Sequence, residues 1–127
     1  MNIFLICGVR GATEAQIEMQ QEHVQYLEEQ GHMVHYPPRD TNQNDATGYN
    51  ICKQNMAAIQ AADRVDIMAY DSKLSEGSLF DLGMAFALGK QINPVIGHFP
   101  TLRNVASGKS FVRMIWKWED EWWAEEA

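Results

Sequence analysis

Short apolar runs alternate with amphipathic helical segments along the first hundred residues of this chain. The apolar runs lie at residues 2–7, 32–36, 65–69 and 92–96. Segments with helical spacing of apolar residues separate them, at residues 14–29, 51–62 and 80–90. Strands that alternate with helices at this spacing predict a parallel sheet covered on both faces. We therefore expect a three-layer α/β domain with a short parallel sheet of four or five strands.

The size and charge of the chain limit what it can do. Its 127 residues are enough for a single domain with one sizeable core. The net charge of −7 leaves no basic stripe to replace the counterions of a nucleic acid, which argues against a nucleic-acid partner. No apolar run approaches the roughly 20 residues that a membrane span needs. We expect a cytoplasmic protein with no membrane partner.

The cysteines and histidines do not form a recognisable metal site. Cys7 and Cys52 are far apart and have no CxxC spacing, so they predict neither a zinc site nor a disulfide scaffold. His32, His35 and His98 are scattered, and we interpret them as residues at strand edges. We therefore expect no metal ion and no organic cofactor.

Three polar segments follow the predicted strand ends, at residues 8–11, 37–49 and 71–81. Because the carboxyl ends of parallel strands share one edge of a sheet, these segments are expected to converge on one cleft. The first segment is too short for a phosphate P-loop and lacks GxGxxG, so a plain turn between strand and helix is one interpretation. The other is an anion site, in which Arg10 offers a fixed cationic fork.

Residues 69–90 pass from an apolar run through a polar loop into a segment with helical spacing. Ser75, Gly77 and Ser78 stand where backbone N–H groups and hydroxyls can hold an anion at a helix N-terminus. Asp81 has two interpretations. With Ser78 as the N-cap, it is part of a capping box; alternatively, it is a carboxylate at the edge where open α/β sheets bind ligands.

Three motifs in order resemble the nucleoside 2-deoxyribosyltransferase family, which has a flavodoxin-like fold. They are CGVRG at residues 7–11, QNMAAIQAAD at residues 54–63 and SxGSxFDLG at residues 75–83. The resemblance covers roughly residues 2–97 and is nearest to the branch that hydrolyses 2′-deoxynucleoside 5′-monophosphates. It implies cleavage of an N-glycosidic bond, with Ser75, Gly77 and Arg10 at the phosphate.

The resemblance also implies a catalytic pair, at which this sequence departs from the family. The family's nucleophile is normally Glu in the pattern G-x-x-x-E-x-G, and Asp81 stands there, one methylene shorter. A second family acid falls at Asn55, which cannot be a general acid. The spare acids Asp40, Asp45 and Asp71 are either solvated loop residues or replacements for that acid.

The expected function is cleavage or transfer of the N-glycosidic bond of a small nucleoside or nucleoside 5′-monophosphate. A non-catalytic nucleotide-binding module that uses the same cleft is the alternative. The catalytic candidates are Asp81 and Asn55, and the candidates for substrate binding are Gly8, Arg10, Gly11, Asp71, Ser75, Gly77 and Ser78.

A homodimer or a higher homo-oligomer is expected from the C-terminus. Four tryptophans lie between residues 116 and 123, where they form either core packing or a subunit contact. The family resemblance also implies sites completed across subunits, with Ser110 as the candidate to reach a neighbour.

Overall fold

Four parallel strands form the centre of the fold. The computed structural model of the protein describes residues 1–68 and 75–95. Its elements are β1 (Asn2–Ile6), α1 (Glu14–Glu29), β2 (Met33–His35), α2 (Pro37–Asp40), α3 (Tyr49–Ala61), β3 (Arg64–Ile67), α4 (Glu76–Ala87) and β4 (Gln91–Pro94). The strand order is β2-β1-β3-β4, and all neighbouring strands are parallel. This is the expected flavodoxin-like order. Some of the predictions lie outside the described residues. They concern residues 112–116, which the sequence predicts as a fifth strand or the start of a helix, and also the tryptophan-rich tail, Asp71 and Ser110.

Both faces of the sheet are buried, as the continuous apolar run of β1 predicts. Alternate residues of a strand point to opposite faces, so β1 contributes to two separate clusters. The cluster on the α1 face contains Ile3, Leu5, Val24, Leu27 and Met68. The cluster on the opposite face contains Phe4, Ile6, Ile59 of α3 and Leu82 and Ala85 of α4. The three-layer prediction is therefore confirmed.

The first helix agrees with its prediction at both ends. It spans Glu14–Glu29, and the Thr13 hydroxyl accepts a hydrogen bond from the Gln16 N–H while the Gln16 side chain accepts one from the Thr13 N–H. Gly31 follows the C-cap with a φ of +90°, a conformation that glycine adopts without strain. Local capping signals are sufficient here because every partner lies within one turn.

The start of α4 differs from the prediction. The helix begins at Glu76 rather than at residue 80, and its N-cap is Ser75, not Ser78. Ser75 has extended backbone angles, and its Oγ accepts a hydrogen bond from the Ser78 N–H at 3.1 Å. Because Ser75 already caps the helix, Asp81 has no capping role and lies in the second turn. The capping-box interpretation of Ser78 and Asp81 is therefore wrong.

Two other local details are set by the structure. Strand β2 ends at His35, before the two prolines, and Pro37 and Pro38 then open the short helix α2 within the polar segment 37–49, since the fixed φ of proline suits a first helical turn. The helical spacing of residues 51–62 predicts that Met56 points inward from α3, but Met56 is 41% exposed, while its neighbour Asn55 is buried. A polar side chain occupies part of the inward stripe of α3, which rotates Met56 away from the core. None of the helices in the described ranges is long and apolar enough to cross a bilayer.

Candidate active site

Asp81 is a buried carboxylate near the carboxyl ends of the strands. It belongs to α4, which begins after the chain leaves β3, and its residue exposure is 9%. It lies close enough to Cys7, the residue that follows β1, for its charge to raise the pKa of that thiol. The fold therefore places a carboxylate beneath the sheet edge where ligands bind in open α/β folds.

Asn55 is the side chain that contacts Asp81. Its Nδ2 donates a hydrogen bond to Asp81 Oδ2 at 3.2 Å. Asn55 is itself buried in α3, and its Oδ1 accepts a hydrogen bond from Thr41 Oγ1 at 2.8 Å. His35 Nε2 lies 2.8 Å from the same threonine oxygen. The two residues that the resemblance predicts as catalytic candidates are thus in direct contact, and two more side chains support them.

Burial sets the protonation of this site. The pKa of Asp81 is raised to about 6, because desolvation disfavours the charged form more than the hydrogen bond from Asn55 favours it. The carboxylate is therefore still mainly ionised at neutral pH. Burial, with a further contribution from the charge of Asp81, raises the pKa of Cys7 to about 12. The Cys7 thiol stays protonated and is not a nucleophile at neutral pH.

The N-terminus of α4 is the second polar part of the site. Ser75 Oγ donates a hydrogen bond to Ser78 Oγ at 3.0 Å, so the two hydroxyls form a pair. Ser75 is exposed and Ser78 is buried. The backbone N–H groups of Glu76 and Gly77 have no partner among the described residues, as is usual in a first helical turn. A Cβ built on Gly77 meets no described atom within 4 Å, so the space around this backbone is open.

The loop between β1 and α1 is fixed by buried side chains. Gln20 donates a hydrogen bond from Nε2 to the Gly8 carbonyl at 2.8 Å, and its Oε1 accepts one from the Tyr36 hydroxyl. Gly11 has a φ of +75°, which turns the chain toward α1. Arg10 is exposed and makes no ion pair with the residues described in 1–68 and 75–95. The structure shows no contact that brings Arg10 to Asp81 or to the serine pair.

Two of the spare acids act as hydrogen-bond acceptors within their own loop. Asp40 accepts from Arg39 and from the Tyr36 N–H; burial opposes its ionisation, but these bonds lower its pKa below the usual value. Asp45 accepts from the Ile51 N–H, which lowers its pKa. Both are therefore ionised at neutral pH and are poor proton donors there.

Sequence reasoning missed Thr41 and interpreted His35 only as a strand-edge residue. Thr41 lies in a polar loop, yet it is 4% exposed. The signal available in the sequence was weak, because a threonine among asparagines and aspartates is typical of a solvated loop. Only the docking of that loop on α3 brings its hydroxyl to Asn55.

Comparisons with known proteins bear on the family and the fold of this chain. A family model described as nucleoside 2-deoxyribosyltransferase matches residues 4–115. A solved structure of a CMP N-glycosidase from Clostridium botulinum is 20% identical, with a TM-score of 0.56, over 74% of this chain and 66% of that chain. A solved 2-deoxyribosyltransferase from Bacillus psychrosaccharolyticus is 22% identical, with a TM-score of 0.62, over 74% of this chain and 71% of that chain. The match to the Clostridium protein thus spans just under two thirds of its length. No curated protein sequence matches the chain.

Proposed function

Because this chain belongs to the nucleoside 2-deoxyribosyltransferase family, we propose that it cleaves or transfers the N-glycosidic bond of a nucleoside or a nucleoside 5′-monophosphate. The observation that carries the proposal is the environment of Asp81. This carboxylate is buried, takes no part in capping its helix, and forms no ion pair with the described residues. A buried carboxylate without a neighbouring cation costs stability, so it is expected where function requires it.

The chemistry suits a carboxylate at this place. Cleavage of an N-glycosidic bond develops positive charge on the sugar as the base leaves. Asp81 is proposed to stabilise that charge, either electrostatically or by forming a covalent bond to the anomeric carbon. A site that excludes water strengthens this interaction, because the effective dielectric constant is low there.

Asn55 is proposed to orient the nucleophile rather than to act as an acid. Its amide carries no transferable proton, but its Nδ2 hydrogen bond holds one carboxylate oxygen of Asp81. The other oxygen, Oδ1, has no hydrogen-bond partner in the described part of the chain. That oxygen is therefore the one proposed to meet the sugar.

The N-terminus of α4 is proposed to bind the 5′-phosphate. The N–H groups of Glu76 and Gly77, which have no partner among the described residues, are donors at the positive end of the helix dipole. The Ser75 hydroxyl is proposed to become a third donor by turning its hydrogen from Ser78 Oγ to the phosphate. Arg10, on the neighbouring loop, is proposed to add a charged contact. Gly8 and Gly11 of that loop and Asp71 remain candidates for substrate binding.

Gly77 offers a sharp test of the phosphate site. Gly77→Ala adds one methyl group where the protein has room, so folding stability is expected to be unchanged or slightly higher. The same methyl group stands where a phosphate would approach, so affinity for a monophosphate is expected to fall about tenfold or more, with a smaller loss for the nucleoside. Gly83→Ala is the matched control, since Gly83 lies in the same helix and its added Cβ also meets nothing. Equal losses in the two variants contradict the phosphate site.

A panel of deoxynucleosides and their 5′-monophosphates tests the reaction. Release of free base, separated by chromatography, is the expected result, and the preferred base identifies the substrate. The alternative function is a nucleotide-binding module, which the amide at Asn55 favours because a general acid is missing there. Tight binding without base release by any member of the panel would establish that alternative.

We also propose that the protein is a homodimer that uses the exposed face of α3 and α4. Tyr49, Met56 and Phe80 are 65%, 41% and 55% exposed, and they line a groove of about 590 Å³ together with Met84. Light scattering of Phe80→Glu is expected to show a smaller species than the wild type, because a charge cannot be buried in an apolar contact. Tyr26→Glu, which alters a similarly exposed aromatic on α1, is the control. A wild-type monomer contradicts the dimer.

A further inference from the structure

Four side chains from different parts of the fold form a chain of hydrogen bonds that ends at Asp81. His35 lies at the end of β2, Thr41 follows α2, Asn55 belongs to α3 and Asp81 to α4. The successive heavy-atom distances are 2.8 Å, 2.8 Å and 3.2 Å. Thr41 and Asn55 are only 4% and 5% exposed, so water has little access to compete for these bonds.

The direction of each hydrogen bond follows from the donors available. Thr41 has a single hydroxyl hydrogen, which it donates to Asn55 Oδ1. His35 Nε2 must therefore carry a hydrogen and donate to Thr41 Oγ1. With Oδ1 of Asn55 bound to the hydroxyl, the amide NH₂ necessarily faces Asp81. Rotation of the amide by half a turn would place Oδ1 against the ionised carboxylate, where two acceptor oxygens repel each other, and would require the other tautomer of His35 to accept from the hydroxyl.

The far end of this chain is attached to the core. The imidazole of His35 stacks on Phe4, with ring centroids 5.3 Å apart and an interplanar angle of 8°. Phe4 is completely buried in the centre of the sheet. Burial also lowers the pKa of His35, which favours the neutral ring, and the bond to Thr41 Oγ1 places the one ring hydrogen on Nε2. The orientation of Thr41 is thus fixed by a ring that cannot easily move.

We propose that Thr41 and His35 are positioning residues for the reaction at Asp81. They hold the Asn55 amide with its NH₂ toward the carboxylate, so that Asp81 is kept in one orientation. This inference rests on the proposed function but assigns roles to two residues outside the catalytic pair. The sequence lacks the family's second acid, because Asn55 stands at that position. The hydrogen-bonded side chains supply a neutral donor in a fixed orientation in its place.

The pair Thr41→Val and Thr41→Ser tests the proposal by kinetics. Valine has nearly the shape of threonine but no hydroxyl, whereas serine keeps the hydroxyl. For the monophosphate that the wild type cleaves best, Thr41→Val is expected to lower kcat about tenfold to a hundredfold with KM within about twofold. Thr41→Ser is expected to restore kcat to within about threefold of the wild type. His35→Phe, which keeps the stacking on Phe4, is expected to lower kcat by less than Thr41→Val.

A second readout does not depend on turnover. The pKa of Asp81, followed by carbon-13 NMR of its carboxyl group, is expected to rise above the wild-type value in Thr41→Val and to return in Thr41→Ser. Asn55 is the described side chain that acts on the pKa of this carboxyl, and both substitutions leave Asn55 itself in place. Equal kcat and equal titration in both Thr41 variants would overturn the proposal. If the wild type releases no base from any nucleotide, the proposed function fails, and the NMR titration alone still decides whether Thr41 orients Asn55.

Discussion

Two aspartates are buried in the part of the chain that the structure describes, and their charges are compensated to different degrees. Asp66 of β3 is completely buried on the α1 face, where it accepts hydrogen bonds from Arg64, His23 and Asn93. Burial alone would raise its pKa, but these donors lower it below the usual value. Asp81 has a single amide donor, and its pKa is raised to about 6.

The difference separates a structural carboxylate from a candidate catalytic one. Asp66 has a cation and enough donors to occupy both of its oxygens, so its negative charge is compensated within the protein. Asp81 has one oxygen without a described partner, and its charge is not compensated. A substrate that develops positive charge would supply what the protein does not. Four substitutions test this contrast.

The largest expected effect is on base release. Asp81→Asn keeps the shape of the side chain but removes the charge that opposes the developing oxocarbenium ion, so kcat is expected to fall about a thousandfold or more. Binding of the monophosphate, measured by calorimetry, is expected to change little. Asp66→Asn, assayed where it remains folded, is expected to keep most of its kcat. A similar loss of kcat in both variants would remove the distinction.

The same two substitutions are expected to change the free energy of unfolding with opposite signs. Asp66→Asn leaves Arg64 without a carboxylate and is expected to destabilise the fold by about 3–5 kcal/mol. Asp81→Asn removes a buried uncompensated charge and is expected to stabilise it at pH 7 by up to about 3 kcal/mol. Urea unfolding of the wild type and of the two variants measures both changes in the free energy of unfolding. A destabilised Asp81→Asn would mean that Asp81 has a structural partner.

The pH dependence of these differences gives a third test. The raised pKa of Asp81 means that the folded state holds the proton more tightly, so the stability of the wild type relative to Asp81→Asn falls as pH rises from 3.8 to about 6. Asp66 is the reverse: its stabilising contribution is present above 3.8 and is lost as pH falls through its lowered pKa. Base release is expected to rise with a midpoint near pH 6, as Asp81 ionises. A flat profile from pH 5 to 7 would contradict the nucleophile assignment.

The smallest effect is expected from Asp81→Glu. This variant keeps the carboxylate and restores the residue usual in the family, at the cost of one methylene in a packed site. Base release is expected to stay within about tenfold of the wild type and to rise further when Asn55→Asp is added, because a proton donor then adjoins the nucleophile. The panel assay measures both variants. If Asp81→Glu loses as much base release as Asp81→Asn does, the position of the carboxylate matters more than its charge.

The local elements were predictable from the sequence because their signals act over a few residues. The apolar runs predicted the positions of the four described strands, and the helical spacing of residues 14–29 predicted α1, which the structure starts with a Thr13–Gln16 capping box that closes within one turn. The start of α4 was misjudged because Gly77 and Ser78 have low helix propensity, whereas the Ser75 hydroxyl overrides that preference.

The sequence by itself determined the layer architecture, the family resemblance and the presence of a carboxylate at residue 81. Only the tertiary structure decided which polar side chains meet. Asn55 and Asp81 are 26 residues apart, and their contact depends on how α3 and α4 pack against the same face of the sheet. The sequence places Asp66 within an apolar run and so predicts that it is part of a strand. Its three hydrogen-bond donors belong to β3, α1 and β4, which the sequence does not indicate. Hydrophobic periodicity specifies which face a residue turns to the core, but pairing between distant polar groups requires the docked elements themselves.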